Sequence, residues 1–121
     1  MIVSCSPEQK LPPEDVVSGI NVVARWKTCP KPSEREGPPQ LERASWQGSA
    51  FVVVVKDNDY CGGTDITDPR YELAGEDLKL RWAWKAGPNV PVTACTCDHT
   101  VHFELSSLMP KDYKVLLVRD R

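Results

Sequence analysis

The chain has 121 residues, of which 40% are hydrophobic and 26% charged, and its formal net charge is −2. This length suits one domain with a single core, and the hydrophobic content is too high for general disorder. The near-neutral charge argues against a nucleic-acid-binding protein that relies on a basic surface, and no apolar run reaches the roughly 18 residues of a membrane-spanning helix.

Chain 1–15 is expected to lie outside the folded domain. A short apolar run ends at Ser4 and Cys5 and is followed by polar, proline-rich chain. A single helical turn near Pro13–Val16 is the one helix predicted, because these residues suit a helix start. Residues 16–121 are predicted to form one domain.

Alternating hydrophobicity predicts at least five β-strands in that domain. Without a helix to cover a sheet, two antiparallel sheets packed face to face bury these strands most economically, so the predicted fold is a small all-β sandwich. The predicted strands are Ile20–Trp26, the β-branched run Phe51–Val55, Leu78–Lys85, Val101–Ser106 and Tyr113–Leu117.

The proline-rich segment 29–47 shows no apolar periodicity and is predicted to be an exposed loop. Lys56–Asp59 is expected to end the valine strand and to lead into turns through Asp68 and Pro69. Trp46 is a candidate for an exposed aromatic contact. Trp82 and Trp84 share a face with apolar residues and are expected in the core rather than in a carbohydrate platform.

Five cysteines indicate the redox compartment. With Cys5 set aside, an even set remains that predicts two disulfides in an oxidising compartment. A bridge between Cys95 and Cys97 would strain an extended backbone, so each is expected to pair with Cys29 or Cys61 in an order left open.

A metal site is the alternative interpretation of the last two cysteines. Cys95, Cys97, His99 and His102 have spacings that could bind copper or zinc. In an extended strand the first three share a face and His102 lies opposite, so only a turn at Asp98 would bring all four together. Disulfides are therefore preferred, and a periplasmic metal-binding protein stays the alternative.

The segment 57–77 contains seven acidic residues and one basic residue. Asp57, Asp59, Gly62 and Asp68 fall at the first, third, sixth and twelfth positions of a calcium loop, but Cys61 takes the fifth and no helices flank the segment. We interpret the segment as a solvated acidic loop whose residues serve turns, and leave cation binding open. No nucleophile elbow or phosphate-binding loop occurs, so neither catalysis nor a cofactor is expected.

Two resemblances add to this interpretation. Val3-Ser4-Cys5 resembles the lipobox of bacterial lipoproteins. This implies that residues 1–15 are a signal remnant and tether, that Cys5 carries the lipid, and that Ser6 permits export to the outer membrane. Leu108 to Val115, with Pro110 and Tyr113, resembles the corner before a late strand in fibronectin-like and immunoglobulin-like sandwiches, which implies that the Tyr113 hydroxyl bonds to nearby backbone.

Together these features predict a non-enzymatic lipoprotein of the cell envelope, in the outer membrane or periplasm. It would act as a binding or structural module with an envelope protein or ligand as partner, contacting the membrane only through its lipid and binding no nucleic acid. The segment 29–47 is the expected binding loop, with Ser33, Glu34, Arg35 and Trp46 as candidates. A protease-inhibitor-like module is a further alternative, because a proline-stiffened loop anchored by a disulfide is pre-organised for a cleft.

Overall fold

A computed structural model describes residues 15–19, 21–28, 37–60, 64–86 and 96–120, and these form strands and connecting turns without a helix. The eight strands are β1 (Asp15–Gly19), β2 (Val22–Thr28), β3 (Gln40–Gln47), β4 (Ala50–Tyr60), β5 (Thr64–Ala74), β6 (Asp77–Ala86), β7 (Thr96–Leu105) and β8 (Lys114–Asp120). The prediction of an all-β fold is therefore confirmed.

The strands form two sheets, here called sheet A and sheet B. Sheet A has the order β1-β2-β7-β4-β3, and all its neighbouring strands are antiparallel. Sheet B has the order β5-β6-β8, in which β5 and β6 are antiparallel and β6 and β8 parallel. The parallel pair corrects the expectation of purely antiparallel sheets. It arises because the chain leaves sheet B after β6 and runs back through sheet A as β7. It then re-enters sheet B beside the start of β6, so β8 runs parallel to β6.

The sequence segments with the clearest period-2 alternation are strands in the structure. Every second side chain is buried along all of β7 and along β6 as far as Trp82, and the five predicted strands correspond to β2, β4, β6, β7 and β8. The valine run lies in β4, inside sheet A between β7 and β3. Val52 and Val54, on its outer face, are only 6% and 7% exposed, so this strand is buried on both faces as predicted.

Three strands were missed or misassigned from the sequence. Asp15–Gly19 is β1 rather than a helical turn, because its backbone pairs with β2. Gln40–Gln47 is β3 rather than loop: it is an edge strand, exposed along most of its length, so its sequence lacks apolar alternation. Thr64–Ala74 is β5, in which a register irregularity between Thr67 and Arg70 places Asp68-Pro69 inside a strand rather than in a turn.

The hydrophobic core lies between the inner faces of the two sheets. Phe51, Val53 and Val55 alternate inward from β4, and Leu78 and Leu80 face them from β6. Further buried members are Val22, Ala24, Trp26, Ile66, Trp82, Val101, Phe103 and Leu105. Two sheets packed over one core are consistent with the predicted β-sandwich.

The segment between β7 and β8 carries the contact that the sandwich resemblance implies. The Tyr113 hydroxyl donates to the Met109 carbonyl at 2.8 Å. The Tyr113 ring packs against Phe51, with centroids 5.7 Å apart, and the Trp46 indole N–H donates to the Lys111 carbonyl at 3.0 Å. These contacts fix the approach to β8 on sheet A before the chain enters sheet B.

Gly19 offers a test of how closely β1 and β5 approach. A Cβ atom at this position would lie far inside van der Waals contact with the Pro69 carbonyl oxygen, which is backbone and cannot rotate away. We expect Gly19→Ala to lower the free energy of unfolding by about 1–3 kcal/mol in urea denaturation. Ser18→Ala, at the exposed neighbouring position, is the control, and equal stability of the two variants would contradict this packing.

Candidate binding cleft

Asp57 is the buried charged residue around which one end of the sandwich is organised. It follows Phe51, Val53 and Val55 on the inner face of β4, and its side chain is 0% exposed. One carboxylate oxygen, Oδ2, accepts hydrogen bonds from the indole Nε1 atoms of Trp82 at 2.9 Å and Trp84 at 2.7 Å. A buried carboxylate needs such donors, because burial without partners is costly.

Arg119 completes this group, which we call the Asp57 cluster: Asp57, Trp82, Trp84 and Arg119. Arg119 Nη1 lies 2.5 Å from the other oxygen of Asp57, Oδ1, and 2.9 Å from the Asn58 carbonyl oxygen, and both accept from it. The side chain of Arg119 is 10% exposed. Its Nε is buried and has no hydrogen-bond acceptor among the described residues. The Asp57 cluster therefore pairs one carboxylate of sheet A with three donors of sheet B.

Aromatic packing extends the Asp57 cluster toward β7 and β2. The rings of Trp84 and His99 lie 4.6 Å apart, and Trp26 meets Trp84 edge-on at 5.8 Å. His99 is 2% exposed, and its Nε2 lies 2.9 Å from the Tyr60 carbonyl oxygen. Because a carbonyl only accepts, Nε2 donates in this contact. His99 is thus held between a tryptophan ring and the end of β4.

An open cleft of about 280 Å³ adjoins the Asp57 cluster. It lies at the end of the sandwich where β4 extends beyond β3, since the β3 ladder ends at the pair of Gln40 and Lys56. Trp84 is half-buried, and Asp59 accepts a hydrogen bond from the Thr64 hydroxyl at 2.9 Å. The lining residues are Asp59, Tyr60, Thr64, Trp84, Ala86, Arg119 and Asp120.

Asp120, at the cleft, belongs to an ion-pair network. Arg70 Nη2 donates to Oδ2 at 2.8 Å, and Arg81 Nη2 donates to Oδ1 at 3.4 Å. Arg70 also pairs with Asp68, and Arg81 with Glu72. Desolvation raises the pKa of Asp120, but the hydrogen bond from Arg70 and the charges of Arg81 and Arg70 outweigh it, so the pKa lies below its ordinary value.

The predicted metal ligands do not converge within the described residues. Because β7 is extended throughout, Cys97 and His99 face inward and His102 lies on the other face. Cys97 is fully buried and disulfide-bonded, and Cys95 lies outside the described residues. No group of three or more histidine, cysteine or acidic residues suited to a metal ion occurs in the described ranges.

The interpretation of segment 57–77 as a solvated acidic loop is wrong for most of the residues that the structure describes there. Asp57 and Asp59 lie in β4 rather than in a loop, and Asp57 is neutralised by Arg119. Asp68 lies in β5 and pairs with Arg70. Asp57 and Asp68 therefore form ion pairs within two strands instead of serving the turns of one solvated loop.

The predicted binding loop is described only in part. Ser33, Glu34 and Arg35 lie outside the described residues, as do the cysteines Cys5, Cys29, Cys61 and Cys95. Trp46 is half-buried, with its ring 5.3 Å from Phe51 and its N–H bonded to Lys111. This tryptophan packs on the core and lies outside the cleft lining.

Sequence reasoning missed the Asp57 cluster, although two signals for it were present. The inward alternation of β4 reaches Asp57 if the strand is continued by one more period. Two tryptophans on one buried face also require acceptors for their indole N–H groups, which a carboxylate supplies. Trp82 is 0% exposed, so its prediction as a core residue is confirmed, whereas Trp84 is only half-buried: it packs against the core and also lines the cleft.

Comparison of the chain with family models, curated proteins and solved structures finds no match. The described part of the chain contains no helix with the length and hydropathy needed to cross a bilayer. Interpretation of the cleft therefore rests on its own residues.

Replacing Asp57 tests the importance of the buried ion pair. Asp57→Asn keeps the size of the side chain but leaves the Arg119 charge without its carboxylate partner. We expect a loss of about 3–5 kcal/mol in the free energy of unfolding, measured by urea denaturation. Asp65→Asn, which removes an exposed carboxylate, is the matched control. A loss no larger than that of the control would show that Asp57 does not hold the sheets together.

The lowered pKa of Asp120 predicts a pH dependence of stability. Because the folded-state pKa is below the unfolded-state value of about 3.9, the carboxylate contributes stability that is fully present above the unfolded pKa and is lost as pH falls through the folded pKa. The difference in urea midpoint between the wild type and Asp120→Asn should therefore shrink in acid. Asp112→Asn, at an exposed position, should show no such change; a constant Asp120 difference would contradict the prediction.

Proposed function

We propose that this protein is a non-enzymatic binding module of the cell envelope, exported and anchored by a lipid on Cys5. The observation that carries the binding role is the cleft beside the Asp57 cluster. Both oxygens of Asp57 are occupied by donors, so this carboxylate is engaged in structure rather than poised as a base or nucleophile. The cleft surface offers a half-buried indole and hydrogen-bonding groups, which suit recognition.

Export is supported by the chemistry of the cysteines. A buried, disulfide-bonded Cys97 fits an oxidising compartment, where structural disulfides persist. We extend this to two disulfides among Cys29, Cys61, Cys95 and Cys97, with the pairing left open. A disulfide-bonded scaffold would hold the cleft end rigid for recognition.

An immunoglobulin-like arrangement is part of the proposal. The hydrogen bond of Tyr113 to the Met109 carbonyl supports it, since a tyrosine before a late strand bonds to upstream backbone in that family. The parallel pairing of β6 and β8 differs from a purely antiparallel sheet, so the proposal concerns the packed-sheet architecture and this corner rather than the order of strands.

Intact-mass analysis of the protein from the membrane fraction of its own cells tests the proposed anchor and disulfides. We expect a mass that begins at Cys5 with added acyl chains, lower by about four hydrogens than the reduced form, and no alkylation without reductant because Cys5 is acylated. Cys5→Ser is the control and should lose the lipid and move to the soluble fraction.

Two results would contradict the proposal. An unacylated mass that retains Met1–Ser4 would remove the anchor. Four or more alkylated thiols without reductant would remove the disulfides and make the metal-binding alternative the next to examine, with bound metal measured on the same sample.

A further inference from the structure

We propose that the cleft beside the Asp57 cluster binds a neutral saccharide, one sugar ring at a time. The inference rests on the proposed function as a binding module and assigns the class of its ligand. It follows from three features of the cleft: a donor and an acceptor of opposite charge, aromatic side chains in its wall, and its small size.

The donor is the guanidinium of Arg119. Within the described residues, Nη1 makes both of its hydrogen bonds, to Asp57 and to the Asn58 carbonyl. Nε is buried without an acceptor in the same part of the chain, and the side chain lines the cleft. Nε is itself too buried to meet a ligand, but Nη2, which has no acceptor among the described residues and is not fully buried, can donate to a ligand oxygen in the cleft.

The acceptor is the carboxylate of Asp59. Among the described residues it accepts one hydrogen bond, from the hydroxyl of Thr64 to Oδ2. The other charges near the cleft are compensated: Arg119 by Asp57, and Asp120 by two arginines. Asp59 therefore brings a negative charge that no cation of the described chain balances.

This pair of groups selects the chemistry of the ligand. A carboxylate or phosphate could accept from Arg119 but would be repelled by Asp59 and would have no proton to give it. An ammonium group could donate to Asp59 but could not accept from Arg119. A ligand with both groups could pair with both residues, but its carboxylate would meet a guanidinium whose charge Asp57 already neutralises. A hydroxyl both donates and accepts, so a ring with several hydroxyls satisfies the two residues together without adding charge.

Aromatic groups and size point to the same class. Trp84 and Tyr60 line the cleft, and Tyr60 is 44% exposed. Flat aromatic faces with a polar edge pack against ligands that have an apolar face and polar substituents, as sugar rings do. The volume of about 280 Å³ lies just below the roughly 300–1,000 Å³ of drug-sized pockets, which favours one ring over a long chain.

A nuclear magnetic resonance titration of the full, oxidised chain tests the proposal. The probes are glucose, galactose, mannose, N-acetylglucosamine and their disaccharides at tens of millimolar, with sodium acetate and methylammonium chloride as charged comparisons. We expect saturable shifts of the Trp84 indole N–H and the Thr64 and Ala86 amides with at least one saccharide. The Trp46 indole, which lies outside the cleft lining, should not shift.

Asp59→Ala should weaken saccharide binding by about tenfold or more, because it removes a charge-assisted hydrogen bond. Asp65→Ala removes an exposed carboxylate elsewhere on β5 and should bind like the wild type. If Asp59→Ala does not fold, the wild-type titration decides alone. The proposal is overturned if no saccharide of the panel shifts the cleft resonances, if only acetate or only methylammonium does, or if Asp59→Ala binds unchanged.

The outcomes separate this inference from the proposed function. Acylated Cys5 and intact disulfides without saccharide binding would leave an envelope lipoprotein whose cleft takes another ligand. Saccharide-induced shifts in a protein without acyl chains would keep the ligand and remove the anchor.

Discussion

The carboxylate of Asp57 is the constraint on which the rest of this structure depends. It stands on β4 of sheet A, and every side chain that donates to it comes from β6 or β8 of sheet B. A charge without solvent is tolerated only where its partners are in place, so the two sheets can pack in few alternative registers. Because buried ion pairs are often near neutral in net stability, the main effect expected of Asp57 is specificity of sheet packing rather than a large gain in free energy.

The buried carboxylate of Asp57 also determines where the cleft lies. β4 must continue past the end of β3 for Asp57 to reach the indoles, and this leaves Asp59 and Tyr60 at the open end of the sandwich. β8 must run parallel to β6 far enough to bring in Arg119, which also reaches the cleft. Groups fixed by structural contacts lose little conformational entropy when a ligand binds, so an end of the molecule held in this way is suited to recognition.

The central strands could be predicted from sequence because one face of each is buried. β7 alternates along its whole length and β6 as far as Trp82, and the valine run of β4 is apolar on both faces because it lies inside sheet A. The edge strand β8 was also predicted from its alternation, but the edge strands β1, β3 and β5 could not be predicted in this way. Their pairing is determined by backbone hydrogen bonds to a neighbour, and Pro69 within β5 is compatible with an edge position although it is a strong signal for a turn.

The Asp57 cluster and the cleft beside it were harder to predict than the fold, because their residues are distant in the chain. Asp57, Trp84 and Arg119 belong to three strands of two sheets, and Arg119 reaches the other two only through the parallel return of β8, which no local pattern predicts. An aspartate in a run of acidic residues normally indicates a solvated turn, and at Asp68 that expectation of exposure is correct. At Asp57 the hydrogen bonds from two indoles and a guanidinium outweigh the usual preference of an aspartate for solvent. A buried tryptophan N–H needs an acceptor. Where none is evident nearby in the chain, a strand's alternation should be continued through an acidic residue rather than ended there.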